Sequence, residues 1–498
     1  MPADRQLYHR DNSSFSTAGL LTLIVGCLAG GSLVVIADAD LRWLIVISLV
    51  AVFICLILAV PSREKFAWMS LVLSLQLLDP AVRLFYGGPR RDGLMFTLAF
   101  LIGLCVLFMY AVSGKFSRNY PFQWGGALKW PIVLLFATSA ASLLHSHEKF
   151  IGVGTMLVQV ELYVLYLIAL NCVRSEEDLR TTLKWLFVTL GIQSIIYYVE
   201  CIYGIYYISP LGQIITAQES ELKRPGGTIS HNPFGFANFI LLIMLILIAE
   251  FLPARAHGAA PRWYKGILIG MGVIALILTL SRSAWISFLV GGAWLVIIAY
   301  RRRILAYQKI LYIAIVAGVA AFVAAPLIVL RLQSSPLQRS YDERFALMQM
   351  AINVIIHNPI FGVGPGAYEV SYKNYLTADL ADKWLWTVHN HYLLRTAETG
   401  IPGGLAWILL IVMGIVQALR LSKSRRLPIR TLAIGCGAGI VAVAQQMYWD
   451  MWTHVVAQEL FWFLLGLMGA AEVIDRRARQ AEMLATQRVQ AADISSGR

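Results

Sequence analysis

The chain has 498 residues, of which 58% are hydrophobic and 14% charged, with a mean hydropathy of +0.67 and a formal net charge of +13. Soluble domains average about a quarter charged residues and disordered chains are poor in Leu, Ile, Val and aromatics, so an ordinary water-soluble enzyme and a disordered chain are both excluded. Apolar runs of about 20 residues recur from end to end, each long enough to cross roughly 30 Å of hydrocarbon as a helix, which specifies a polytopic membrane protein.

In chain order, apolar runs bounded by Pro, Gly and charge predict about fourteen helices, near 18–37, 41–60, 66–85, 94–113, 127–144, 151–172, 182–208, 232–252, 264–281, 283–300, 310–330, 391–419, 431–450 and 454–474. The expected fold is an all-α bundle with a long, partly helical outer loop. The first run is too long for a signal-peptide core, with only a weak Ala37-Asp38-Ala39 cleavage site, and is expected to stay. Lys and Arg fall in short clusters between runs, such as Arg301-Arg302-Arg303 and Arg425-Arg426. Alternate loops collect most of them when both termini are placed in the cytoplasm. No basic face interleaved with aromatics appears, so no nucleic acid is expected. Cys27, Cys55, Cys105, Cys172, Cys201 and Cys436 fit neither a disulfide framework nor a zinc site and read as small buried hydrophobes.

This map divides the chain into N-terminal helices (1–208), a central region (209–420) with outer loops 209–232 and 331–390, C-terminal helices (421–475) and a cytoplasmic tail (476–498). In the longer loop, Glu343–Ile356 sets Phe345, Leu347, Met348, Ala351, Ile352 and Ile355 at helical spacing, as a helix lying on the membrane or capping a cavity would. Ionisable residues inside apolar runs are Asp79, Arg83, Glu161 and Glu200. Asp79 and Arg83, four apart on an expected helix, read as an ion pair. Glu161 and Glu200 either line a cavity or bond between helices.

Four outward-side residues carry the candidate chemistry. Arg282, in TLSRSAW, stands where two apolar runs meet without a loop. It either snorkels to the interface or faces a cavity or partner, since a guanidinium in apolar surroundings is costly otherwise. Arg224 and Arg344 lie in outer loops, where a lone arginine is usually solvated; three arginines gathered on one face would suit a doubly charged phosphate through their forked donors. His389 ends the long loop, where a histidine serves as cap, structural donor or base. After His389-Asn390 come nine residues, Gly400, two residues and Gly403, and the glycines break the following helix so that backbone or substrate can approach.

His389-Asn390-x9-Gly400-x2-Gly403 resembles the motif of the bacterial O-antigen ligase and O-antigen polymerase superfamily of multi-pass membrane glycosyltransferases. Arg224 in RPGGTISHNPFGFANF, Thr279–Ala284, and Arg344 followed by His357-Asn358-Pro359-Ile360-Phe361-Gly362-Val363-Gly364 resemble its other segments, in the same order. The resemblance covers about residues 220–410. It implies a GT-C-like bundle in the bacterial inner membrane, a polyprenyl-pyrophosphate-linked glycan as donor, a periplasmic-facing site, and neither cofactor nor metal. The implied acceptor is a lipid-linked glycan or lipid A–core sugar, with membrane lipids and a chain-length regulator as further partners.

On that basis Arg224, Arg282 and Arg344 are expected to hold the pyrophosphate, and His389 to act as general base in an inverting displacement. Asn390 and Glu398 are candidates for orienting the acceptor. About fourteen crossings and a long outer loop favour a polymerase of O-antigen or exopolysaccharide repeat units. The alternatives are an O-antigen ligase, a relative that glycosylates protein, and a lipid-linked oligosaccharide flippase.

Overall fold

The computed structural model describes residues 62–77, 81–84, 94–117, 120–203, 233–253, 263–305, 337–377, 387–453 and 455–495, with a few isolated positions between them. The expected crossings at 18–37 and 41–60, most of the one at 310–330, and the loop 209–232 with Arg224 lie outside the described residues. The chain divides into two compact units, 1–70 and 71–498. The described part of the first is the opening of helix α1 (Arg63–Leu77), where the Phe66 amide donates to the Ser62 carbonyl at 3.0 Å.

The second unit is a polytopic helical membrane bundle. A short antiparallel hairpin, β1 (Ala81–Leu84) with β2 (Leu94–Thr97), leads into α2 (Leu98–Val112). Then follow α3 (Lys129–His145), α4 (Lys149–Cys172), α5 (Glu176–Tyr203), α6 (Pro233–Phe251), α7 (Trp263–Leu278), α8 (Arg282–Arg301) and α9 (Leu337–His357). The last three are α10 (His391–Leu421), α11 (Leu427–Trp449) and α12 (Val455–Ser495). Among the described residues, seven helices are long and apolar enough to cross a membrane: α3, α4, α5, α8, α10, α11 and α12.

The hairpin corrects the expected helix over 66–85. The described helix runs to Leu77 and residues 81–84 form a strand; in the sequence between them, Pro80 has no backbone donor to continue a helix. Arg83 therefore lies on a strand and not on the helix that its expected pairing with Asp79 assumed; Asp79 itself lies outside the described residues. The last helix continues without a break through the expected tail, to Ser495.

Without a hydrophobic drive between helices in lipid, small residues that let backbones approach decide the packing. α11 supplies them in LAIGCGAGIVAVA: a side chain at Gly435 would meet the Ile246 backbone of α6 at 2.4 Å. A side chain at Gly291 of α8 would meet the Ala438 carbonyl at 2.7 Å, and one at Gly466 of α12 the Tyr166 carbonyl of α4 at 2.3 Å. Cys172 and Cys436 are buried as small core residues, while Cys105 and Cys201 are half-buried. Glu161 is 2% exposed and accepts from the Thr97 amide at 3.4 Å, bonding α4 to the start of α2; the Thr97 hydroxyl donates to Glu459 of α12.

The bundle has two chemically distinct ends. At one, Arg302 donates to Ser422 (2.9 Å), Arg426 pairs with Glu176 and Glu482 (2.7 and 2.9 Å), and Ser424 donates to Asp475 (2.5 Å). At the other, α10 and α12 begin and α11 ends.

Candidate functional site

The second end is organised by a clasp between two sequence motifs. Gly400 has φ 72° and ψ 175° inside α10, a conformation that L side chains rarely adopt, and a side chain there would lie 2.1 Å from the Ile360 carbonyl oxygen. The segment 358–366 fits into this break. Ile401 donates to the Pro359 carbonyl (2.8 Å), Val363 to Ala397 (3.0 Å) and Gly364 to Glu398 (2.9 Å). Backbone, then, is what approaches the glycine break. Ser142 and Ser146 fasten the clasp to α3 by donating to the Glu398 and Val363 carbonyls at 2.7 and 3.1 Å, and His145 stacks on Phe361 at 3.6 Å between ring centres.

α9 covers this end. Its buried stripe is Ala346, Leu347, Met350, Ala351 and Val354, packed with Tyr368, Val388, Leu394 and Ala397. The expected helix is present: Leu347 and Ala351 of its apolar stripe are buried and Met348 and Ile355 pack against the same cluster, while Phe345 and Ile352 are 62% and 43% exposed.

His389 and His391 stand two residues apart in different chemical states. The Nδ1 of His389 lies 3.0 Å from the Thr387 carbonyl, which only accepts, so Nδ1 carries the proton and Nε2 is the basic nitrogen. No described residue bonds that nitrogen. Burial, together with the nearby Arg344 cation, holds the His389 pKa below its ordinary value of 6.5, against a weaker upward pull from Thr387. His391, 1% exposed, uses both nitrogens: Nδ1 donates to the Met451 carbonyl (2.5 Å) and Nε2 accepts from Arg395 (3.4 Å). Of the two, only His389 can take a proton from a bound molecule.

Arg344 lies beside His389 and donates through Nη1 to the Trp449 carbonyl at 2.9 Å, at the end of α11. Asp450, the next residue, is 6% exposed and within electrostatic reach of Arg344. Its Oδ1 accepts from the Met451 amide at 2.9 Å, and its Oδ2 is buried without a hydrogen-bond partner among the described residues. Burial pushes its pKa up from 3.8 to about 6, although the Met451 amide and Arg344 pull it down. Sequence reasoning missed this residue; the signal was a lone carboxylate in WDMW between two apolar runs.

Arg282 begins α8 after a tight corner. Ser281 caps the helix by accepting from Ala284, the Trp285 indole donates to Leu276 (2.9 Å), and Leu280 takes a left-handed φ of 51°. The Arg282 Nη1 is buried without a hydrogen-bond partner among the described residues. Its level follows from helix register. Ser287 of α8 donates to Gln445 of α11 (2.5 Å), and further along Gly291 meets Ala438 and Ala442, so the two helices run antiparallel. Five residues back from Ser287 is Arg282 and five beyond Gln445 is Asp450, each roughly 7.5 Å along its helix. Arg282 thus stands at the level of the Arg344–Asp450 end.

The other two expected residues have structural tasks. Asn390 caps α10, its side chain accepting from Leu393 at 3.0 Å. Glu398 is 7% exposed, and its carboxylate takes a hydrogen bond from the Gly366 amide with Arg395 nearby. The structure thus brings together His389 and Arg344, adds Asp450, and sets Arg282 at their level. Arg224 lies outside the described residues.

Residues 266–408 match the family model described as O-antigen ligase, which supports the O-antigen ligase and polymerase superfamily. The match spans Arg282, Arg344, His389 and the Gly400 clasp; Arg224 lies before it and Asp450 after it. No curated relative matches the chain.

Proposed function

We propose that this integral membrane protein transfers a glycan from a polyprenyl pyrophosphate to a sugar hydroxyl at the periplasmic face of the inner membrane, polymerising lipid-linked repeat units of O-antigen or exopolysaccharide. The observation that carries this reading is the basic Nε2 of His389 beside Arg344, within the residues that match the O-antigen ligase family.

His389 takes the proton of the acceptor hydroxyl while its oxygen bonds to the anomeric carbon, and the bond from that carbon to the pyrophosphate oxygen breaks with inversion. Arg344, Arg282 and Arg224 hold the departing pyrophosphate. Fixed cations aimed at a leaving group in a low-dielectric site lower the barrier most where charge develops. Asn390 and Glu398 act by shaping α10 behind His389. Asp450 acts on Arg344 through its charge, within electrostatic reach of the guanidinium.

The family description favours a second reading, an O-antigen ligase that transfers the finished chain to lipid A–core sugar. Purified full-length protein in detergent, given lipid-linked oligosaccharide with or without lipid A–core, tests both. A ladder of repeat lengths supports polymerisation, and product formed only with lipid A–core supports ligation. Absence of any transfer by a protein that binds donor would overturn both and favour a flippase. His389→Ala is expected to keep donor binding and lose transfer; full activity in that variant would reject the base assignment.

A further inference from the structure

A recess lies at the opposite end of the bundle from His389. It is open to solvent and takes in about 310 Å³, the solvent-facing space included, between the end of α4, the segment 120–123 and α12, and its polar lining includes Arg174, Arg477, Asn171, Gln123 and Tyr120. No lining residue is acidic. α4 separates it from the clasp: Gly152, near one end of that helix, touches Pro365, while Arg174 follows the other end. A helix of 24 residues spans about 36 Å.

Arg174 is held in place before any ligand arrives. Its Nε and Nη1 donate to the carbonyls of Asn171 (2.9 Å) and Lys115 (2.7 Å), and its guanidinium lies 5.1–5.4 Å from the ring centres of Tyr110, Phe116 and Tyr120. Its Nη2 has no described partner. The Arg477 guanidinium lies 4.0 Å from the Tyr120 ring centre. Nearby carboxylates on α12 are engaged by other groups: Glu472 by Gln417 and Arg476, Asp475 by Ser424 and Arg479, Glu482 by Arg426. Asp178 accepts from the backbone amides of Arg174 and Ser175 and so caps α5.

The depth of the recess in the membrane follows from its neighbours. Trp124 and Trp130 are 67% and 68% exposed, Lys129 lies over the Trp130 ring at 5.3 Å, and Phe108 and Val112 of α2 are exposed apolar residues. Exposed tryptophans with basic residues mark headgroup level, and apolar side chains beyond them meet acyl tails. Two preset guanidiniums in a concavity at that depth match the oxygens of a phosphate.

We infer that this recess binds a phosphate group, and that the membrane supplies it as the headgroup of an anionic phospholipid. The test uses full-length protein in phosphatidylcholine nanodiscs titrated with phosphatidylglycerol or, separately, with inorganic phosphate, reading bound lipid by native mass spectrometry and the melting temperature. Phosphatidylglycerol should bind and raise the melting temperature. Arg477→Gln and Arg174→Gln should each weaken that binding about tenfold, as loss of a charged hydrogen bond does. Arg476→Gln, an exposed arginine paired with Glu472, should leave it unchanged. Arg477→Gln is informative even if Arg174→Gln misfolds, provided its melting temperature in phosphatidylcholine alone is unaltered. Equal phosphatidylglycerol binding by wild type and Arg477→Gln would overturn the site. Saturation by inorganic phosphate with no gain from the lipid would overturn the lipid as its source.

Discussion

Arg344 donates through Nη1 to the carbonyl oxygen of Trp449 at 2.9 Å, so the C-terminal end of α11 holds the arginine that lies beside His389. That end of a helix carries unsatisfied carbonyls and partial negative charge, which favours a cation there. One arm of the guanidinium is committed to this anchor, which fixes the plane of the fork beside the imidazole. Arg344→Lys keeps the charge but loses the planar fork, so transfer should fall roughly 10–100-fold with little change in melting temperature. Transfer assays alongside thermal melts check this; wild-type rates would show that the fork is not used.

The pH dependence of transfer should follow His389. A general base must be neutral, and both burial and Arg344 hold this imidazole below 6.5, so the rate should persist below that pH before its acid limb appears. Arg344→Gln removes a cation that opposes protonation. The limb should then move to higher pH in kcat/KM profiles, and an unmoved limb would place Arg344 outside the field of the base. Asp450 titrates nearby, so Asp450→Asn is profiled in parallel.

Asp450 predicts a pH dependence of stability with the opposite sense to an ordinary paired carboxylate. Its folded pKa of about 6 stands above the usual 3.8, so the native state binds the proton more tightly than the unfolded chain. The contribution is most favourable below 3.8 and is lost as pH rises through about 6, by on the order of 3 kcal/mol. Asp450→Asn should flatten that slope in melts across the same window. An unchanged slope would mean that other groups carry it.

Gly400→Ala should damage the clasp. A positive φ with ψ near 180° is open essentially to glycine and costs another residue about 1–3 kcal/mol, and the added carbon would collide with the Ile360 carbonyl. A lowered melting temperature is expected, whereas Gly270→Ala, on α7 with open space around it, should be neutral or slightly stabilising. Equal melting of the two variants would deny Gly400 its special place.

His389 and His391 should separate activity from stability. His389→Gln is expected to lower transfer by about 10²–10⁴ while the fold persists. His391→Ala strands the buried Met451 carbonyl and opens space between Trp407 and Trp452, costing roughly 2–4 kcal/mol. The reverse pattern in paired assays and melts would exchange their roles.

What could be read from sequence depended on how local its cause was. The break at Gly400 and the helix over 343–356 are visible because glycine spacing and helical periodicity are local signals. Which of its apolar residues are buried was not legible, because Tyr368, Val388 and Leu394 decide it, and these partners are supplied by the chain after the helix. Asp450 passed unnoticed because its burial arises only where α9 meets the end of α11. Pro80 signalled the end of the expected 66–85 helix, yet the apolar run around it dominated the reading. The reach of Thr97 to Glu161 and Glu459 crosses 64 and 362 positions, and no periodicity encodes that.

The clasp also fixes when a working centre can exist during synthesis. Ser142 waits for Glu398 across 256 positions and Ser146 for Val363 across 217, and Met451 emerges 60 residues after its partner His391. Chains are made from the N-terminus, and contacts between distant segments close last. A ribosome-bound fragment that has just inserted α3 and α4 therefore holds only half of a latch, and the His391 imidazole gains its Met451 partner after nine-tenths of the polypeptide has been translated.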